Sequence, residues 1–329
     1  MEERIMLCIY NPGTDPYFNL AAEEYFLDGC QEDVFMLWRN EPAIIVGKFQ
    51  NSLAEINLDY VKEKQIKVVR RQTGGGAVFH DLGNLNFTFI ESNSNGNFRT
   101  FTEPILEVLH QLGVDARFEG RNDLTIDGMK ISGNAQCVHH GRTLHHGTLL
   151  FAAEMTDLSQ ALKVNPLKFQ DKAVKSVRKR VTNISEYLSD KKFTVLDLAD
   201  CIMRHVQSTR EHAITYQLTE ADKQAINRLV KEKYSTWEWN FGQSPRYTFH
   251  KAAKTGAGMV EVYLYIEKAE IQEVRIYGDF FSIKDIHELE KLLTGLPHNM
   301  DSLSAVINTI ELEDYIRNIT AEEFLPLFF

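Results

Sequence analysis

The tract Arg70-Arg-Gln-Thr-Gly-Gly-Gly-Ala-Val-Phe-His-Asp81 constrains the chain most, because three successive glycines fall between two apolar runs, Ile66 to Val69 and Ala77 to Phe79. Glycine has no β-carbon, so the stretch reads as a loop between two strands whose amides can turn toward an anion. Arg70 and Arg71 place two planar guanidinium forks beside it. A tight turn without any ligand satisfies the same letters. A Walker loop would end Gly-Lys-Ser/Thr and open a helix, whereas Gly76 runs into Ala-Val-Phe, and the Gly-x-Gly-x-x-Gly of a dinucleotide fold is also missing.

Around this tract the periodicity alternates between strand and helix. Arg4 to Tyr10 reads as a strand, and Asp15-Pro16 opens a core-facing helix carrying Phe18, Ala22, Tyr25 and Phe26. Val34 to Trp38 and Ala43 to Gly47, separated by Arg39-Asn-Glu-Pro42, suggest a hairpin, and Ile56 to Lys64 a polar helix. Leu85, Phe87 and Phe89 alternate as in a half-buried strand, and Gly113 stops a helix over Thr100 to Leu112. Asp127-Gly128 is a strong two-residue turn, so Asp123 and Lys130 are expected on paired antiparallel strands. A lysine so placed is ordinarily a solvent-facing sheet residue; the small Ser132-Gly-Asn-Ala135 beside this one leaves room for a ligand to approach.

His139, His140, His145 and His146 lie within eight residues. Neighbouring strand residues point to opposite faces and no cysteine or carboxylate spacing completes a site, so buried or turn histidines account for them better than a metal does. The segment from 165 to 180 carries Lys168, Lys172, Lys175, Arg178, Lys179 and Arg180 in a chain of formal net charge −10. It suits either a solvated loop or a flap ordered by an anionic ligand. The overall acidity argues against a general nucleic-acid binder. The four scattered cysteines suggest reduced thiols, and the absence of a long apolar run or a signal-like start suggests a soluble, cytoplasmic protein without membrane attachment. Helices at Thr194 to Gln207 and Thr219 to Tyr234, then an aromatic tract ending at Pro245, close a large domain; Met259 to Ile266 and Glu270 to Tyr277 open a small α+β unit with helices after it.

Five tracts in one order resemble the lipoate-protein ligases. They are the glycine tract at 70–81, Gly120-Arg-Asn-Asp-Leu124, Lys130-Ile-Ser-Gly-Asn-Ala135, His145-His-Gly-Thr-Leu-Leu150 and Ser176-Val-Arg-Lys-Arg-Val-Thr-Asn183, and the likeness continues through Trp237-Glu-Trp-Asn-Phe-Gly242. The resemblance implies an α+β fold, a mixed and largely antiparallel sheet with packed helices. It divides the chain into a catalytic domain at 1–245 and an accessory domain at 246–329. It also implies adenylation of free (R)-lipoate by ATP with Mg²⁺, then transfer to a lysine of apo-lipoyl domains, either 2-oxoacid dehydrogenase E2 subunits or the glycine-cleavage H protein.

Carried onto this sequence, the resemblance makes Lys130 the catalytic cation at the acyl-phosphate junction. It places Arg71, Gly75, Gly76, Ala77, Val78, Phe79, Lys130, Arg178 and Arg180 around the nucleotide, and Trp38, Arg70, Gly75, Lys130 and His146 around lipoate. Asp123 suits Mg²⁺ or the hairpin's own hydrogen bonds equally; His80 and Asp81 suit the adenosine side or a turn; Trp38 suits a pocket wall or plain core packing. The 165–180 segment corresponds to an adenylate-binding loop. The competing chemistry is an octanoyl or lipoyl transferase with Cys137 as acyl carrier, which shares the scaffold; against it, Cys137 has no recognisable activating partner. The loop of biotin-protein ligases, related in fold, is not found.

Overall fold

In the computed structural model, residues 4–50, 52, 56–92, 96–154, 181–241 and 249–329 are described. Strand β1 (Met6–Asn11) leads into helix α1 (Pro16–Gly29), whose start follows from its sequence: the Asp15 side chain accepts from the Tyr17 amide at 3.1 Å and proline occupies the first turn. Then come β2 (Asp33–Trp38), β3 (Ala43–Val46), α2 (Leu58–Glu63), β4 (Lys67–Arg70), β5 (Val78–His80), β6 (Asn84–Ser92), α3 (Phe98–Gln111), β7 (Ala116–Glu119), β8 (Asp123–Ile126), β9 (Met129–His139) and β10 (Arg142–Leu150). After residue 180 the chain adds α4 (Val195–Thr209), β11 (Ala213–Thr215), α5 (Glu220–Leu229), a π-helical turn (Val230–Tyr234) and α6 (Trp237–Asn240).

The main sheet has the order β11-β1-β2-β6-β10-β9-β8-β7, parallel from β11 to β2 and antiparallel from β2 onward. Alternation in its central strands buries both faces. Met6, Cys8, Phe35, Leu37, Phe87 and Phe89 meet α3 and α4 on one side. Leu7, Ile9, Val34, Met36 and Trp38 meet α1 and Tyr234 on the other. The fold is therefore the expected mixed, largely antiparallel α+β sheet.

The anticipated hairpin over 34–47 does not form. β2 joins the main sheet, while β3 forms the centre of a separate sheet of order β4-β3-β5, parallel to β4 and antiparallel to β5. Both segments are wholly apolar, so their pattern gave their strand character but not their partners. The glycine tract thus connects two strands that lie on either side of β3. The Asp127-Gly128 turn forms as its letters require, with φ of 51° and 72° at its two residues.

From Phe249 a meander of β12 (Phe249–Thr255), β13 (Gly258–Glu267) and β14 (Glu270–Gly278) packs against α7 (Ile286–Leu293) and α8 (Met300–Ile307). The sequence pattern showed β13 and β14; β12 escaped it because three of its seven residues are polar and exposed. Among the described residues no helix is long and apolar enough to cross a membrane.

Candidate active site

One row of residues runs across the main sheet on the face that carries α1. Strand pairing sets Trp38 of β2 opposite Asn86 of β6, Asn86 opposite Thr148 of β10, Thr148 opposite Gly133 of β9, and Gly133 opposite Asp123 of β8. Directly opposed residues share a face, so the row is a floor. A cavity of about 200 Å³ lies on it, and Arg71, Gly75 to Val78, His80, Lys130 and His146 contribute to its lining together with Leu20, Ile45 and Phe281.

The cavity has a buried end and an open end. Trp38, at 2% exposure, and Asn86, at 1%, sit deep, whereas the Lys130 side chain is 37% exposed and forms an ion pair with Asp123 at 2.7 Å. A β-carbon on Gly133 would come within 3.0 Å of the Lys130 ammonium, so the glycine leaves the space that the ammonium fills. Thr182 donates its amide to the Lys130 carbonyl at 3.0 Å, anchoring the chain that emerges from the basic segment beside this lysine.

Behind the cavity a chain of buried hydrogen bonds ties the deep end to the glycine loop. Trp38 Nε1 donates to Thr88 Oγ1 at 2.9 Å, and Thr88 donates to Glu23 at 2.6 Å. Glu23 meets His146 Nδ1 at 2.8 Å, and the other ring nitrogen of His146 lies 2.8 Å from Thr73 Oγ1. Thr73 accepts from Arg71 Nε at 3.0 Å. Arg71 then draws the loop carbonyls inward, donating to Gly74 and Gly76 at 2.6 and 2.9 Å. Burial lowers its guanidinium to about 10, still cationic at neutral pH. Its donors being taken by the loop and by the Ile45 carbonyl of β3, Arg71 offers a ligand its charge and the loop's shape rather than a free fork.

Several sequence expectations are corrected by placement. Arg70 does not reach the cavity: it is buried, with every guanidinium nitrogen donating to protein, including the carbonyls of Gly47, Gln50 and Trp239 at 2.9, 2.7 and 2.9 Å. Phe79 turns away into the cluster around Ile44, Val46 and Val68, so its side chain cannot touch a cavity ligand. The Gly75 amide donates to the Phe280 carbonyl at 3.2 Å. His80 stands beside Trp38 at the deep end, ring centroids 6.1 Å apart, while Asp81 serves its turn by accepting from the Gly83 and Glu154 amides at 2.8 and 2.7 Å. Arg178 and Arg180, and with them the 165–180 flap, lie outside the described residues.

Trp38, Gly75, Gly76, Ala77, Val78, Lys130 and His146 are brought together as lining. Cys137 is not; burial pushes its thiol up to about 12, which disfavours a thiolate nucleophile. Among the described residues no three His, Cys, Asp or Glu side chains converge as a metal site; His145 is buried and neutral, burial holding it well below the usual histidine range.

Sequence reasoning missed Glu23, Thr73, Thr88, Asn86 and Phe281. Glu23 had a signal, since Asn19 and Glu23 are polar residues four apart on the otherwise apolar buried face of α1. Phe281 had none, because it reaches the cavity from the C-terminal unit.

The family model described as the lipoyl protein ligase A/B catalytic domain matches residues 15–207, and that of the bacterial lipoate protein ligase C-terminus matches 244–328. A lipoate-protein ligase of Bacillus subtilis is 43% identical over 332 residues, covering 98% of this chain and 100% of the relative. Among solved structures, a Plasmodium falciparum LipL1 in complex with lipoate aligns with TM-score 0.80 at 25% identity, covering 98% and 97% of the two chains. A lipoate-protein ligase A bound with ATP aligns with TM-score 0.62 at 29% identity over 73% of this chain and 99% of that one.

Proposed function

The chain belongs to the lipoate-protein ligase family, and from that premise we propose how its cavity performs the two half-reactions of an ATP-dependent ligase acting on lipoate. In the first, a lipoate carboxylate oxygen attacks the α-phosphorus of ATP, the bond to pyrophosphate breaks, and lipoyl-AMP forms. In the second, the unprotonated ε-amine of an acceptor lysine attacks the lipoyl carbonyl and AMP departs with the bonding pair. The acceptors are apo-lipoyl domains of 2-oxoacid dehydrogenase E2 subunits and the glycine-cleavage H protein. The use of ATP suits the cytoplasm.

The observation that carries this reading is the polarity of the cavity floor. The acyl chain lies from Trp38 outward, and its carboxylate ends where the row reaches Lys130 and Asp123. Burying four chain methylenes there is worth roughly 3 kcal/mol at about 0.8 kcal/mol each. Lys130 is the catalytic residue: its ammonium donates to the carboxyl oxygen and to the phosphate as charge moves from one to the other. Bringing two anions together needs this charge in place beforehand. Gly76, Ala77 and Val78 line the nucleotide side, with Arg71 as buried charge behind them; Arg178 and Arg180 are assigned to the adenylate by resemblance alone.

Mg²⁺ would neutralise the departing pyrophosphate. It takes six oxygens, and Asp123 offers one carboxylate beside Lys130, a donor set that suits a metal arriving on the nucleotide rather than one caged by the protein. We divide the chain near residue 245, with the catalytic domain before it and the accessory domain after it.

The test is the intact mass of an apo-lipoyl domain incubated with this protein, lipoate and Mg²⁺, with and without ATP. A lipoyl mass gain that needs ATP is expected. Transfer only from an acyl-carrier-protein thioester, without ATP, would overturn the reading.

A further inference from the structure

The deep end of the cavity contains polar atoms that a hydrocarbon pocket has no use for. Asn86 is 1% exposed and lines the cavity between Trp38 and Thr148, yet among the described residues neither its amide nitrogen nor its amide oxygen has a hydrogen-bond partner. His80, 3% exposed and also in the lining, has an unpartnered Nε2.

The protonation of that nitrogen follows from its neighbours. Asn11 Nδ2 donates to Asn19 Oδ1 at 2.6 Å, so Asn19 Nδ2 is free to donate to Asn40 Oδ1 at 2.9 Å. Asn40 must then present its Nδ2 to His80 Nδ1, 3.1 Å away. The ring accepts at Nδ1 and therefore carries its proton on Nε2. Two buried N–H donors, from His80 and Asn86, and one amide oxygen thus remain unsatisfied where the end of an acyl chain would lie.

Native proteins rarely leave buried polar groups unpaired, because each loses its water without compensation. Asn86 stands two strands from Gly133, about 10 Å at roughly 4.8 Å per strand. That is a suitable span for an acyl chain whose carboxylate sits at Lys130. We infer that Asn86, together with His80, is a specificity determinant that favours an acyl tail bearing sulfur over a hydrocarbon tail of the same length. The inference rests on the proposed reading of the cavity and adds the part of the substrate its deep end selects. A ring sulfur accepts weakly from the two N–H groups, and the thiols of a reduced tail can also donate to the Asn86 oxygen. A methyl-terminated tail does neither and leaves all three atoms buried and unpaired.

The experiment measures kcat/KM for lipoate, octanoate and a thiol-bearing octanoate in ATP-dependent ligation to an apo-lipoyl domain, for the native protein and Asn86→Leu. The native protein should prefer the sulfur-bearing acids by about tenfold or more, the worth of one to two weak hydrogen bonds. Asn86→Leu should bring the ratio near unity, chiefly by raising turnover of octanoate, and His80→Phe should shift it in the same direction. Equal use of all three acids by the native protein would overturn the inference whether or not the variants fold, as would an Asn86→Leu enzyme that keeps the native ratio. A native protein that ligates none of the three would overturn the reading of the cavity itself, a separate result.

Discussion

Arg70 offers the sharpest test of how this site is held, because sequence and structure assign it opposite jobs. Its guanidinium donates from Nε to the Trp239 carbonyl at 2.9 Å, from Nη1 to the carbonyls of Gly47, Lys48 and Gln50 at 2.9, 2.9 and 2.7 Å, and from Nη2 to Ser52 Oγ and the Asn240 carbonyl at 2.7 and 3.3 Å. Burial lowers it to about 10, so it stays charged at neutral pH. One side chain therefore joins the turn after β3 to the turn at α6. Hydrogen bonds to a charged group are worth about 1.5–3 kcal/mol each. Six cannot simply be summed, since removing the cation also removes its desolvation penalty and some carbonyls recover water. Buried carbonyls left unsatisfied cost about 1–3 kcal/mol each, and with part of that recovered by water about 4 kcal/mol is expected for Arg70→Met. With a urea slope of about 2–3 kcal/mol per molar, the midpoint should fall by about 1.3–2 M. Folded Arg70→Met at low temperature should keep native KM values for ATP and lipoate. A variant with an unchanged urea midpoint and a tenfold higher KM for either substrate would refute the structural role and restore Arg70 to the ligand.

Other residues give further tests. Lys130→Ala should slow lipoyl-AMP formation, followed by pyrophosphate release, on the order of 10²-fold, as for other preorganised charge-stabilising donors; a near-native rate would remove Lys130 from the chemistry. Trp38→Val should extend acyl range to longer chains while breaking the Trp38–Thr88 hydrogen bond, and unchanged selectivity across a chain-length series would show the indole to be core packing only. Cys137→Ser should ligate at the native rate, since the thiol is outside the cavity lining; a dead but folded variant, judged by circular dichroism, would favour the thiol-carrier chemistry. Burial lowers His80 to about 3 and also depresses His145, so both are neutral when folded but can charge when unfolded. The unfolded chain then binds more protons, and stability should fall as pH drops below ~6.5, by at most about 1.4 kcal/mol per pH unit per histidine down toward the folded value. Urea midpoints between pH 7 and 5 that stay level in the native protein would contradict this burial.

Residues with local causes were legible in the sequence. The Asp15-Pro16 cap, the Asp127-Gly128 turn and the pairing of Asp123 with Lys130 each depend on a few adjacent letters. Direction and partner were not legible where burial removes the pattern. Beyond Asp33, β2 and β3 are apolar throughout, so nothing in them says which sheet each joins. Arg70 and Arg71 are adjacent, and strand alternation sends them to opposite sides: Arg71 meets the cavity and Arg70 the turns behind it. The motif that drew attention to both could not distinguish them. Glu23 was hidden for a similar reason, as a helix residue whose partners, Thr88 and His146, come from two strands far along the chain.

The three glycines show how one motif can answer several demands at once. A β-carbon on Gly74 would overlap the Phe280 carbonyl oxygen of the C-terminal unit, so that glycine is required by packing. Gly75 has φ of +90°, and a side chain there would also press on Arg71, so it is required by backbone conformation. Gly76 has open space around its missing β-carbon and is required by neither. The sequence shows the triplet only as freedom, whereas the structure divides it into a joint with the C-terminal unit, a turn and a face left open. Because the Gly75 amide is held by the Phe280 carbonyl, a ligand that takes this amide must displace that bond. Occupancy of the loop by such a ligand and docking of the C-terminal unit would then oppose each other with equal free energy in both directions.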